Sequence, residues 1–295
     1  MTTISQLTTL YSKKIDYLDI EIIIANSLAK TREFVLAHPE QQITAKQELA
    51  IKKLLERRLR RESIAHILGR KEFYGLDFMV NKYTLVPRPE TELIVEQAIE
   101  LLRSMLRNKL RNNINVIDIG TGSGCIITAI THAMEQEKSN NIKYYGSDIS
   151  AEALKVAKKN AKLNGVKIKF LKSNLLSAFL NPKITKLKDN QLIITANLPY
   201  LSKEIYNSSS VDVKKYEPKS ALYSPEEGLQ HYRKLLEKLK QLLATCHLSL
   251  VTCFFEISPE QKVPITKLIK NILPTAQIEF SKDLAGKWRI CKISI

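Results

Sequence analysis

Apolar positions recur at helical spacing through the first seventy residues. Leu18, Ile22, Ile23, Leu28 and Ala29 define one apolar face, and Ala50, Ile51, Leu54, Leu55 and Leu59 define another. Pro39 falls between the two as a break. The period then changes. Over 72–86 the run EFYGLDFMVNKYTLV sets aromatic and β-branched residues around Asn81–Lys82, which predicts a β-hairpin turning there. Pro87 and Pro89 close it, because proline biases the residue before it away from helix.

From Thr91 onward strand-like and helix-like stretches alternate. Strand patterns cover 115–120, 143–149, 167–173, 191–197, 248–257, 276–281 and 288–295, and helical patterns cover 92–110, 125–137, 151–164, 229–243 and 259–272. Such alternation predicts an α/β fold, a mostly parallel sheet with helices on both faces. The last two strand patterns have no helix between them, which predicts an antiparallel hairpin at the end of the sheet.

Composition adds limits. With 295 residues, 44% apolar and 26% charged, the chain is long enough for about two domains with real cores, and disordered, collagen-like and coiled-coil classes are excluded. No apolar run reaches the ~18 residues of a membrane helix, and the first residues hold no apolar signal-like stretch. The expectation is a cytoplasmic protein without a membrane partner. Cys125, Cys246, Cys253 and Cys291 show no CxxC spacing and read as free thiols, mostly buried. The five histidines, His38, His66, His132, His231 and His247, lack metal-ligand spacing, so no metal site is expected. The net charge of +16 and the cluster Lys52, Lys53, Arg57, Arg58, Arg60 and Arg61 keep nucleic acid open as a partner.

Glycine is scarce, nine residues in all, where average usage gives about 20. Three of the nine, Gly120, Gly122 and Gly124, fall in the turn Asp118-Ile119-Gly120-Thr121-Gly122-Ser123-Gly124, after a strand and before a helix. That pattern is neither a Walker A loop nor a dinucleotide fingerprint. Asp118 would repel a diphosphate and suits a cationic centre. Asp148 ends the next strand, where a carboxylate can take both hydroxyls of a ribose. Glycine loop and two acids together fit S-adenosylmethionine. The fourth strand leads into Asn197-Leu198-Pro199-Tyr200. Pro199 holds Leu198 extended with its carbonyl in a fixed direction, Asn197 offers a side-chain carbonyl, and Tyr200 offers a ring. Two acceptors and an aromatic face suit a planar NH2 group, an amide or an exocyclic amine.

The chain resembles the HemK/PrmC family of protein-(glutamine-N5) methyltransferases that modify peptide chain release factors. The resemblance rests on residues 68–76 (LGRKEFYGL), 86–92 (VPRPETE), Asp118 to Gly124, Asp148, 216–222 (YEPKSAL), Gly228-Leu229, Phe255-Glu256-Ile257 with Gln261, and 282–286 (KDLAG) with Arg289. It implies a Rossmann-like class I S-adenosylmethionine-dependent methyltransferase with a seven-stranded, mostly parallel sheet and a small helical N-terminal domain. It also implies a helical substrate-docking domain over 1–71, a hairpin connector over 72–90 and a catalytic domain over 91–295. Gly120, Thr121, Gly122, Ser123 and Gly124 would hold the methionine part of the cofactor, Asp148 with Ile149 the ribose side, and Leu175 the adenine. Asn197 and the Leu198 carbonyl would grip the glutamine of a Gly-Gly-Gln loop, with Pro199 and Tyr200 completing the site and Asn197 bordering the cofactor too. Pro87 to Glu92 would shape the pocket mouth; for Arg88 and Glu90 the alternative is a charge pair that fixes the connector. Two positions depart from the family pattern: Leu198 replaces the first proline of Asn-Pro-Pro-Tyr, and Asn174 replaces an aspartate. Asn-Leu-Pro-Tyr is similar to the tetrapeptide of adenine-N6 rRNA dimethyltransferases, so an adenine-N6 methyltransferase on RNA or DNA is the alternative.

Overall fold

The computed structural model describes residues 2–108, 113–135, 137, 141–181, 187, 190–246 and 248–295. The chain divides into two compact units, one of Met1–Arg70 with Ser210–Tyr216, the other of Lys71–Ser209 with Glu217–Ile295.

The first unit is helical. Helices α1 (Ile4–Tyr11), α2 (Tyr17–Leu28), α3 (Arg32–Ala37), α4 (Ala45–Leu59) and α5 (Ile64–Leu68) each begin at a side chain that accepts a first-turn N–H: Thr3, Asp16, Thr31, Thr44 and Ser63. Their core is Ile4, Leu7, Ile20, Ile23, Ile24, Val35, Ile43, Ile51 and Leu55. The buried face of α2 therefore runs through Ile20, Ile23 and Ile24, and the expected face members Leu18 and Ile22 lie outside it, Leu18 exposed. With so many apolar residues in α2, periodicity alone does not choose among overlapping stripes. In α4 the expected Ile51 and Leu55 are buried, whereas Leu59 is exposed beside the arginines. Much of the basic cluster is neutralised within the unit: Lys52 pairs with Glu48, Arg57 with Glu62 and Arg58 with Asp19, each at 2.6 Å.

The second unit opens with a two-stranded sheet, β1 (Arg70–Phe73) and β2 (Leu76–Met79). The hairpin turns at Tyr74–Gly75, both with positive φ (53° and 72°), and not at Asn81–Lys82. This is the two-residue geometry whose twist matches the strands, and it puts Phe73 and Phe78 edge to face with centroids 6.0 Å apart. Asn81 instead makes a separate turn, its Oδ1 accepting from Tyr83 N.

The main sheet has strands β3 (Ile114–Ile119), β4 (Ile142–Asp148), β5 (Lys169–Lys172), β6 (Gln191–Ala196), β7 (Leu250–Glu256), β8 (Gln277–Lys282) and β9 (Trp288–Ser294). They lie in the order β5-β4-β3-β6-β7-β9-β8. The pairs β3–β4, β4–β5, β3–β6 and β6–β7 are parallel, and β9 is antiparallel to both β7 and β8. Seven strands, mostly parallel with a terminal hairpin, is the architecture expected from the alternation. Every residue of β3 and β6 is buried, as central strands covered on both faces require. The remaining helices are α6 (Glu92–Arg107), α7 (Cys125–Glu135), α8 (Ala151–Leu163), α9 (Lys203–Ser208), α10 (Val211–Tyr216), α11 (Gln230–Thr245) and α12 (Lys262–Ile272). Positions 109, 110 and 136 of the expected helices, and His247, lie outside the described residues. Cys125, Cys253 and Cys291 are buried free thiols and Cys246 is a partly buried one. No helix among the described residues is long and apolar enough to cross a membrane.

Strand order reverses between β3 and β6, so the chain leaves these two strands on diverging paths and opens a crevice at their C-terminal ends. Register does the rest. Ile119 pairs with Ala196 and Ala196 with Phe255, which brings the residues that follow, Gly120, Asn197 and Glu256, together.

Candidate active site

A cavity of ≈ 300 Å³ lies in this crevice, walled by Gly120 to Ser123, Asp148, Ile149, Leu175, Asn197 to Pro199, the Lys82–Arg88 segment and Ser220. The loop after β3 turns sharply, with Thr121 N donating to Ser147 O (2.8 Å) and Gly124 N to Thr121 O (2.7 Å). Gly120 has φ +70° and a Cβ there would stand 2.8 Å from Leu198 Cδ2, so the Leu198 side chain fills the space over this glycine. Gly124 faces away from the cavity, against Ala157 of α8.

Asp118 sits behind the loop rather than in the cavity wall. Its carboxylate is buried, accepting from Thr121 Oγ1 (2.5 Å) and Thr195 Oγ1 (2.9 Å), and none of the ion pairs among the described residues includes it. Burial pushes its pKa up to about 7 against the pull of the two hydroxyls. A carboxyl raised in the folded state favours folding while protonated, and that contribution is lost as pH rises through the folded value. The difference in unfolding free energy between wild type and Asp118→Asn should therefore change in the variant's favour between about pH 4 and pH 7 and level off above. Urea titrations across that range would check it; a pH-independent difference would refute the buried-acid reading.

Asp148 closes β4 at the cavity. One oxygen accepts from Gly122 N (2.9 Å) and the other from Ser150 N (2.8 Å). Burial raises its pKa while these backbone N–H groups pull it down. Each oxygen keeps a further lone pair. Ile149, beside it, is 66% exposed, an apolar side chain held at the cavity edge. Leu175 has φ 54°, an uncommon backbone for leucine. Its carbonyl accepts from Ser173 Oγ (2.6 Å), which helps hold it there.

Asn197 is held most firmly. Nδ2 donates to Thr91 Oγ1 and to Glu256 Oε2, both at 3.0 Å. Thr91 Oγ1 itself donates to Glu256 Oε2 at 2.6 Å. A hydroxyl that spends its one proton on a carboxylate can only accept from its other neighbour. The amide orientation follows from this chemistry, with the NH2 turned toward Thr91 and Glu256 and Oδ1 as the acceptor left to the cavity. Tyr200 differs from expectation. Its hydroxyl donates to Glu256 Oε1 at 3.0 Å and its ring packs with the main core, while the cavity wall stops at Pro199. Tyr200 is committed to the protein rather than offered as a stacking surface.

The tetrapeptide is pinned on its far side too. Tyr200 O accepts from Gln261 Nε2 (2.9 Å), which also donates to Glu227 O (3.1 Å). Glu226, Glu227 and Gly228 have successive positive φ values of 54°, 53° and 85°, and a Cβ on Gly228 would lie 2.0 Å from Tyr200 O. At the mouth, Arg88 pairs with Glu217 and not with Glu90, and Val86 N donates to the same carboxylate. Residues without an assigned role in the sequence reading therefore complete the site: Glu217, Gly228, Glu256 and Gln261. Thr91, expected at the pocket mouth, instead holds Asn197. Glu256 carried one local signal, an acid ending a strand that is otherwise almost wholly apolar.

The N-terminal residues 5–69 match the model of the PrmC N-terminal domain, and residues 110–247 match a methyltransferase domain. A release factor glutamine methyltransferase of Bacillus anthracis is 33% identical over 270 residues, covering 92% of this chain and 89% of the relative. The enzyme of that name from Bacillus subtilis (strain 168) is 33% identical, covering 92% and 90%. The chain belongs to the release factor glutamine methyltransferase family. The catalytic domain of human METTL16, solved in complex with the MAT2A 3'UTR hairpin 1, shares the fold (TM-score 0.53, 82% of this chain and 79% of that one), at 14% identity.

As a member of this family the chain is an S-adenosylmethionine-dependent methyltransferase. The donor set fits that group. Asp148 presents two carboxylate oxygens with spare lone pairs to the cavity, as paired ribose hydroxyls require. Asp118 places an uncompensated carboxyl beneath the glycine loop, as a cationic centre favours. Ile149 and Leu175 offer apolar contacts for a flat base.

Proposed function

We propose that this protein transfers a methyl group from S-adenosylmethionine to the side-chain amide nitrogen of the glutamine in the Gly-Gly-Gln motif of peptide chain release factors. The observation that carries the reading is the fixed amide of Asn197, which leaves its oxygen as the acceptor toward the cavity that Leu198 also walls; the Leu198 carbonyl is the second acceptor of this reading. Two acceptors side by side can take both hydrogens of a planar NH2 group. An amide nitrogen is a poor nucleophile because its lone pair is delocalised; holding both hydrogens orients that lone pair and removes the entropy of finding the reactive alignment. When bound, S-adenosylmethionine supplies a methyl group already activated by the sulfonium charge. Asp148 and the glycine loop bind and orient that group, Asp118 braces the loop from behind through Thr121, and Leu175 bounds its base. The names of the family's members support a release factor as the acceptor.

In this reading residues 1–71 dock the release factor, 72–90 connect, and 91–295 carry out the transfer in the cytoplasm. The ion pairs that occupy Lys52, Arg57 and Arg58 weigh against a nucleic-acid interface at the basic cluster.

The test is a transfer assay with labelled S-adenosylmethionine, offering purified release factor and ribosomal RNA in parallel. Label on the protein, abolished when the Gly-Gly-Gln glutamine is replaced, supports the reading; label on RNA overturns it. Separately, Asp148→Ala should weaken S-adenosylmethionine binding severalfold or more by calorimetry, since it removes both ribose acceptors and the anchor of Gly122. Unchanged affinity would remove Asp148 from the ribose site.

A further inference from the structure

We propose that Glu256 is a positioning residue that sets the polarity of the acceptor site, by forcing the Asn197 amide to face the cavity with its oxygen. The inference rests on the reading of Asn197 given above and extends it to the group that controls it.

Glu256 ends β7 with a carboxylate 2% exposed at residue level. Three donors converge on it: Thr91 Oγ1 and Asn197 Nδ2 on Oε2, and Tyr200 Oη on Oε1. All three bonds need an acceptor, so the ionised carboxylate satisfies the whole set and a neutral apolar side chain satisfies none. The strand itself is fixed independently, because Tyr232 Oη donates to the Glu256 backbone carbonyl. Burial raises the pKa of Glu256, and the bonds from Thr91 and Tyr200, with the nearby charge of Arg289 held by Asp283 at 3.0 Å, work against that rise. Without the Glu256 carboxylate, Asn197 keeps only Thr91 as a partner. Thr91 Oγ1 can then donate as well as accept, and the amide is free to turn its NH2 to the cavity. An NH2 there opposes an incoming NH2 donor instead of accepting from it.

Glu256→Leu should lower kcat by about 10²-fold while leaving S-adenosylmethionine affinity within about twofold. Glu256→Gln should retain activity within about tenfold of wild type, because its carbonyl can still accept from Thr91 and Asn197 while its NH2 faces the Tyr200 oxygen. Combined with Asn197→Ala, Glu256→Leu should add no further loss, since it acts through Asn197. Thr91→Val offers a second route should Glu256→Leu fail to fold, because it keeps the carboxylate and removes one bond to the amide.

A readout without substrate comes from side-chain amide exchange measured by NMR. The Asn197 NH2 protons should be protected in wild type and in Glu256→Gln and lose protection at least tenfold in Glu256→Leu, with the backbone amides of β6 and β7 unchanged. Unprotected Asn197 protons in wild type, additive losses in the double variant, or equal damage from Gln and Leu would each overturn the proposal. A protein that shows the exchange pattern yet methylates no release factor would overturn the proposed function and leave the role of Glu256 standing.

Discussion

Asn197→Ala is expected to lower methyl transfer by about 10²–10³-fold while S-adenosylmethionine affinity stays within about twofold. The side chain is held entirely from behind, by Thr91 and Glu256, and the atom it turns to the cavity is an acceptor. Removing it leaves the glycine loop and Asp148 untouched, because neither bonds to it. What is lost is one of two acceptors holding the NH2 group, and with it the alignment of a weak nucleophile. Single-turnover rates and calorimetry on the same preparations separate the two effects. A large drop in cofactor affinity with a smaller drop in rate would move Asn197 to the cofactor side of the site.

Gly228→Ala should be the most damaging alanine substitution among the glycines. The added carbon would meet Tyr200 O at 2.0 Å and Gln261 Nε2 at 2.5 Å, at a φ of +85°. The left-handed backbone costs a Cβ about 1–2 kcal/mol, overpacking about 1–3 kcal/mol, and the displaced Gln261 bond about 1 kcal/mol. A loss of roughly 3–6 kcal/mol in urea unfolding is the expected sum, accompanied by loss of transfer because the 197–200 segment must shift. Gly165→Ala is the matched control: its φ is +73° but nothing lies within 4 Å, so only the backbone cost of about 1–2 kcal/mol should appear. Equal losses in both variants would show that crowding against Tyr200 contributes nothing.

The parts of the site legible in the sequence are those whose requirements are local. A loop that turns sharply between strand and helix needs its glycines within a few residues, and an acid at a strand end needs no partner to be noticed. The groups that hold Asn197 could not be read in this way. Thr91 and Glu256 lie 106 and 59 positions from it, and only the register of β6 with β7 and the packing of α6 on those strands bring the three together. Asn81–Lys82 has turn chemistry and does form a turn, but the hairpin closes at Tyr74–Gly75, where both residues take positive φ. Between 200 and 229 the short helices α9 and α10 bury no residues, so they leave no periodic apolar signature. Asp118 was read as a cofactor contact; its two threonine partners, one of them across the β3–β6 pairing, place it a layer deeper.

The helical unit is not contiguous along the chain. Residues 210–216, far downstream of residue 70, cluster with it; Asp212 faces Arg58 at 3.5 Å, and the Tyr216 hydroxyl donates to the Arg60 carbonyl at 2.7 Å. A single crossover near residue 70 that grafted another helical module onto this catalytic unit would carry over five helices and leave behind the sixth. Under the proposed reading of this unit as the release-factor dock, exchange of docking specificity by such a crossover is disfavoured, and point substitution within both segments together is the open route.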